Sequence, residues 1–157
     1  MFKSHDENLW SKWAALPLRL IIGFGFAAHG FAKLSRGPEG FANILQALGV
    51  PAPSFMAWAT ALIEFFGGLA IIAGAFVSIV SIPLVIVMLV AMFTVHLPYG
   101  FSSITLKRMT ENGPEFGSPG YEVNLLYIAG LLALVLGGAG AFSIDRWLAA
   151  RRSNRRR

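Results

Sequence analysis

Four long apolar runs dominate the chain, at about residues 15–34, 54–76, 79–97 and 121–142. Shorter stretches rich in polar residues, glycine and proline separate them. Each run is roughly 20 residues, the number a helix rising 1.5 Å per residue needs to cross a ~30 Å hydrocarbon core. The pattern predicts an all-α protein, an integral membrane four-helix bundle. Between the first and second spans Phe41, Ile44, Leu45 and Leu48 recur at helical spacing, and Gly49-Val50-Pro51 ends the run. This predicts a short interfacial helix between spans one and two. Residues 98–120 are rich in Gly, Pro and Ser, have no strong apolar period, and read as a loop. In span one, Pro17 falls in the first turn, and Gly23, Gly25 and Ala27 form a small-residue strip for close helix packing. Pro83, in the second turn of span three, predicts a kink.

The ends extend this picture. Trp10 and Trp13, with Lys12, precede the first span and suit an interfacial anchor. No clear small-x-small cleavage site follows that span and three more spans do follow, so the segment reads as mature protein rather than a removed signal. Residues 1–157 read as one transmembrane domain, and 143–157 form a basic tail with Trp147 anchoring a last amphipathic turn.

Composition agrees with the apolar pattern. Hydrophobic residues make up 55% of the 157 and charged residues 13%, whereas about a quarter is usual in soluble domains. The chain has no cysteine, which excludes disulfides, thiol redox chemistry and cysteine-ligated zinc or iron–sulfur sites. No nucleotide-binding loop, HExxH or nucleophile elbow is present, and no residue set points to a metal.

Four spans put both termini on one side, with Lys3, Lys12, Arg19, Arg146, Arg151, Arg152, Arg155, Arg156 and Arg157; the other side holds Lys33, Arg36, Lys107 and Arg108. The positive-inside rule then predicts a multi-pass protein of the cell (inner) membrane with both termini cytoplasmic. The tail RRSNRRR enforces that topology and attracts anionic headgroups; nothing supports a nucleic-acid role.

Ionisable residues inside spans are costly in lipid, and each is a functional hypothesis. Glu64, about 15 Å below the outer end of its span, must be protonated or paired. It reads either as a proton donor and acceptor or as a structural ion pair. His29 and Lys33 are four apart on one helix face. His29 and His96 end spans that run in the same direction, so they lie at similar depth. They could ligate a haem, bond the oxygens of a quinone, or simply bond backbone or Glu122. Two histidines without a second motif argue against haem. Lys33 reads as a snorkelling residue or as the counter-ion to Glu64 or Glu122. Glu122 and Asn124 open span four. Arg19 reads as structural, snorkelling at the inner face or pairing with Asp145. Histidine-ended and glutamate-bearing spans alternate, as a parallel repeat would produce, although the spacings differ.

The motifs in order are LRLIIG with Arg19 and Gly23, HGFAKL at 29–34, LGVP at 48–51, IEFFGGLAIIAG at 63–74, PGYEVNLLYIAG at 119–130 and GGAGAFSIDRWL at 137–148. Together they resemble the DoxX family of small four-span membrane proteins. The resemblance implies association with quinone-linked oxidoreductase activity, and it points to Arg19, Lys33, Glu64 and Glu122 as the family's polar positions. The resulting expectation is a membrane subunit of a quinone-dependent oxidoreductase with a polar ligand pocket in the outer half of the bundle. There Glu64 and Glu122 would exchange protons while His29, Lys33, His96 and Asn124 bind the ligand. Its partners would be the lipid bilayer and redox-enzyme subunits, with association of identical copies left open. A small-solute or proton transporter or channel, and a non-catalytic anchor for a soluble redox partner, are the competing readings.

Overall fold

The computed structural model describes residues 7–154, with side chains from residue 13. Lys3, Arg155, Arg156 and Arg157, counted above for orientation, lie outside the described residues, as do the side chains of Trp10 and Lys12. The helices are α1 Glu7–Arg36, α2 Pro38–Ala47, α3 Pro53–Ala73, α4 Val77–Ala91, α5 Glu122–Gly137 and α6 Ile144–Asn154. A wider π-type turn at Met92–His96 and a short 3-10 turn at Leu97–Tyr99 prolong α4. Three segments are long and apolar enough to cross a membrane: Trp13–Arg36, Pro53–Ala73 and Val77–Tyr99.

The fourth apolar helix is shorter than the sequence predicted. α5 has 16 residues, about 24 Å of rise against a ~30 Å core. It stops because Gly137 and Gly138 favour helix poorly, and Gly138, Gly140 and Phe142 all take positive φ. Pro17 also differs from expectation. α1 begins well before it, so Pro17 is interior and leaves the carbonyl of Trp13 without its helical N–H partner. The loop at 98–120 is not wholly irregular. Leu106–Thr110 (β1) and Gly113–Phe116 (β2) pair antiparallel, with an irregularity between Leu106 and Arg108. Gly113, at φ 113°, closes the turn through Glu111 and Asn112. The strand residues are almost all exposed, so no apolar alternation announces them.

α1 packs on α3 through small residues. A Cβ at Gly68 would lie 2.4 Å from the Ala27 nitrogen, and one at Gly30 would lie 2.3 Å from the Phe65 nitrogen. Gly25 of the predicted strip instead accommodates α5, where the Tyr127 hydroxyl fills its Cβ position. The main core joins Ile22 and Phe26 of α1 to Ile71, Val77, Leu84, Leu131 and Leu134. A smaller cluster of Ala42, Leu45 and Ala57 fixes α2 on the first turns of α3. The opposite helix faces carry exposed apolar side chains, among them Ile21, Phe24, Phe66, Ile79, Ile82 and Leu126. That much uncovered apolar surface fits a lipid solvent. Gly68→Ala is expected to cost about 1–3 kcal/mol by forcing the α1–α3 backbones apart. Gly40→Ala, with nothing near its Cβ position, should be neutral or slightly stabilising. Melting temperatures in detergent compare the two, and equal values would contradict the packing argument.

Candidate functional site

Glu64 sits at the middle of α3 and is 3% exposed. α1 and α3 run antiparallel, with Gly30 against Phe65 and Ala61, so Lys33, near the C-terminus of α1, reaches Glu64. Its Nζ donates to Glu64 Oε2. The Lys33 side chain keeps 22% exposure, and its ammonium stands 4.9 Å from the centroid of the Phe41 ring on α2. Three helices thus build one polar locus. α3 holds the carboxylate, α1 the cation, and α2 lays an aromatic face over the cation, an attractive arrangement in a poorly solvated place. Of the two counter-ion partners open to Lys33 from sequence, the structure pairs it with Glu64.

The other candidates do not bond to this pair. Glu122 accepts hydrogen bonds from the Ser103 backbone N–H at 2.9 Å and from its hydroxyl at 2.7 Å. His96 Nδ1 lies 2.9 Å from the Pro119 carbonyl oxygen. Both therefore fasten the 98–120 segment to the helix ends. Asn124 is 4% exposed and donates to the Met88 carbonyl at 3.3 Å. Leu84 packs at the Cβ position of Gly67. Glu64 and Met88 each lie about one turn from that contact, in the same direction along antiparallel helices, so Asn124 is held at about the level of Glu64. His29 is exposed, one turn before Lys33 on the same helix face, and makes no hydrogen bond among the described residues. Among the described residues, no hydrogen bond or ion pair joins Glu64 to His29, His96, Glu122 or Asn124. The single shared cluster expected from sequence is thus divided into an ion pair, an amide at similar depth held by α4, and a loop anchor.

Arg19 departs furthest from expectation. It neither snorkels nor pairs with Asp145, and it is 1% exposed. Its Nε donates to the Ile71 carbonyl at 3.1 Å, and its Nη2 to Ile72 at 2.6 Å and Phe142 at 3.1 Å. Its Nη1 donates to Ala139 at 2.9 Å and Ala141 at 3.0 Å. These carbonyls belong to the end of α3 and the segment after α5, where helix ends leave acceptors unpaired and partial negative charge collects. Gly74 makes the fit possible. Its φ of 64° ends α3, with the Ala75 N–H on the Ala70 carbonyl and the Gly74 N–H on that of Ile71. A Cβ there would lie 2.7 Å from Arg19 Cζ. Asp145 is engaged elsewhere, its carboxylate accepting from the N–H groups of Phe76 at 2.7 Å and Val77 at 3.0 Å to cap α4. Sequence reasoning missed Phe41, Ser103 and the carbonyl set around Arg19. A usable signal existed only for the last: an arginine in a span facing two glycine-terminated helices.

Two clefts open at the Arg19 end, far from the ion pair. Ala139, Gly140, Ser143, Asp145 and Arg146 line one of about 290 Å³. The other, about 500 Å³, lies between Trp13, Phe142 and α6.

The family model described as DoxX matches residues 14–97, which include both Arg19 and the Lys33–Glu64 pair. "Inner membrane protein YqjF" of Escherichia coli is 34% identical over 134 residues, covering 85% of this chain and 90% of that protein. "Uncharacterized membrane protein Rv3486" of Mycobacterium tuberculosis is 25% identical over 145 residues, covering 88% and 83%. "Putative oxidoreductase CatD" of Bacillus subtilis is 36% identical over 86 residues, 55% of this chain and 62% of that protein. No solved structure matches. The matched model spans more than half the chain, and the helices, their exposed apolar faces and the relatives agree: the chain is an integral membrane protein of the DoxX family.

Proposed function

We propose that this chain is the membrane subunit of a quinone-linked oxidoreductase complex, with Lys33 and Glu64 as the groups that exchange protons with the quinone. The observation that carries the reading is the ion pair itself. A carboxylate buried at mid-helix and held by a partly exposed ammonium is an expensive arrangement for a scaffold, and a natural one for proton exchange. An ammonium has three N–H donors, and Glu64 is its only hydrogen-bond acceptor among the described residues. A quinone carbonyl fits the remaining donors, and the Phe41 ring beside them offers a flat apolar contact. Asn124 lies at similar depth, with its amide donating to the Met88 carbonyl. Reduction of a quinone takes up two electrons and two protons. In this proposal the electrons come from a redox-active partner subunit, and this chain supplies the protons and the binding groups. Glu122 and His96 act by positioning the segment that covers the same end of the bundle. The bundle would lie in the inner membrane with α5 as a fourth, short span and both termini cytoplasmic. The name of CatD, which includes oxidoreductase, is consistent with redox chemistry.

The packed core of Ile22, Phe26, Ile71, Leu84, Leu131 and Leu134 lies between the ion pair and Arg19. A through-going polar path is absent there among the described residues, so the geometry does not favour a channel. The test is a titration of a short-chain ubiquinone or menaquinone analogue into the purified protein. Glu64→Gln keeps the side-chain shape and a hydrogen-bond acceptor but removes the exchangeable charge. It is expected to weaken binding about tenfold, by losing the charge-assisted hydrogen bond that holds the Lys33 ammonium in place for the quinone. No binding by the wild type, or equal binding by the variant, would end this reading.

A further inference from the structure

We propose that the groove between the start of α1 and helix α6 is a binding site for one anionic phospholipid. The groove is about 500 Å³ and is lined by Trp13, Phe142 and Trp147 with Arg146 and Ser143. Its walls are aromatic. The Trp13 and Phe142 rings stand 5.2 Å apart, tilted by 60°, and the Arg151 guanidinium lies 3.7 Å from the Trp147 ring centroid. Arg146 and Ser143 also border the neighbouring cleft, so the exposed Arg146 is shared by the two openings. An apolar channel with a cation at its mouth suits a ligand with an acyl chain on one side and an anionic headgroup on the other.

Three further observations select a lipid phosphate. First, the cationic charge is uncompensated. Asp145, the only acid on α6, is committed to the Phe76 and Val77 N–H groups. Among the described residues Arg146, Arg151 and Arg152 make no ion pair. Second, depth agrees. With α5 as a fourth span, its end falls about 6 Å short of a full ~30 Å crossing, so the segment after it, which forms the groove wall, leads from the chain region to the headgroups. Third, the groove is firmly built. Arg19 holds the carbonyls of Ala141 and Phe142, and the Ser143 hydroxyl accepts from the Arg146 N–H at 3.3 Å as the cap of α6. Tryptophans flanking such a site are at home at the headgroup level. This differs from a general pull of the basic tail on a charged surface, because it places one lipid against Arg146.

The experiment is native mass spectrometry of the full chain in neutral detergent with equal amounts of dioleoyl phosphatidylglycerol and dioleoyl phosphatidylcholine. The wild type is expected to retain phosphatidylglycerol preferentially, by about fivefold, the factor for one arginine near an anionic headgroup. Arg146→Ala should bring the two lipids to parity, and Trp147→Ala should weaken retention of both. Neutralising Arg155, Arg156 and Arg157 together should leave the preference intact, and inorganic phosphate should not displace the lipid. Arg146 is exposed, so its variant should melt like the wild type; Arg146→Lys, which keeps the charge, supplies a second check by keeping the preference. Equal retention of both lipids by the wild type, a preference unchanged in Arg146→Ala, or one lost only on neutralising the tail would overturn the site. Displacement by inorganic phosphate would likewise overturn it, in favour of a free-anion site.

Discussion

Arg19→Ala is expected to destabilise the bundle by about 3–5 kcal/mol, the range for removing the charged partner of buried acceptors. Two effects oppose each other. Burying a guanidinium without a carboxylate is costly, and its removal relieves that cost. Against this, five carbonyls from two otherwise separate chain segments lose their donor at once. The second effect wins because four of those acceptors, the carbonyls of Ile72, Ala139, Ala141 and Phe142, have no other donor among the described residues, and only that of Ile71 keeps one, the Gly74 N–H. Loss of the contacts releases the α3–α4 turn and the segment 138–143 together, and with them the support of α6. Arg19→Lys should recover less than half of the loss, since three donors on a point charge cannot span five acceptors in a fork. Thermal or denaturant unfolding in detergent measures both. A variant that unfolds with the wild type would show that water fills the site at little cost.

The second large effect is expected at the ion pair. Lys33→Met removes the partner of a buried carboxylate and should cost about 3–5 kcal/mol. Adding Glu64→Gln to it should restore most of that stability, because the buried charge disappears with the partner. The cycle therefore gives a strongly non-additive result, whereas a surface pair would give at most about 1 kcal/mol of coupling. The loss should be felt in α2 as well, since Phe41 packs on the ammonium. Hydrogen exchange in residues 38–47 would report this as faster opening in Lys33→Met. Additive single and double effects would mean that Glu64 is solvated and not buried. Because this cycle reads stability alone, it stays informative whether or not a quinone binds.

The helical content, three of the spans, the α2 helix and the family could all be read from the order of residues. Each rests on local pattern. An apolar run long enough for a bilayer must form helix, because only helix satisfies its own backbone in lipid. The 3.6-residue period of Phe41, Ile44, Leu45 and Leu48 is likewise visible without any neighbour. Glu64 and Lys33 stood out because charge in an apolar run is conspicuous, and the sequence left open which acid the lysine would meet.

What the residue order could not settle is what depends on carbonyls and distant partners. The glycines that end α3 and α5 hint at free acceptors for Arg19, but which carbonyls it meets is not written in the sequence, because every residue carries one. Charge offers Asp145 as one partner for Arg19, yet the unpaired N–H groups of Phe76 and Val77 compete for the same carboxylate and hold it. α5 ended early because three glycine-bearing positions and the pull of Arg19 act together, and only the second of these is tertiary. The β-hairpin escaped notice because strands exposed on both faces carry no alternation. The division of Glu64 from Glu122 arose in the same way. Both are carboxylates in the same bundle, and only the packing of α2 over Lys33, and the placing of Ser103 against Glu122 by the 98–120 segment, decides which donors each can reach.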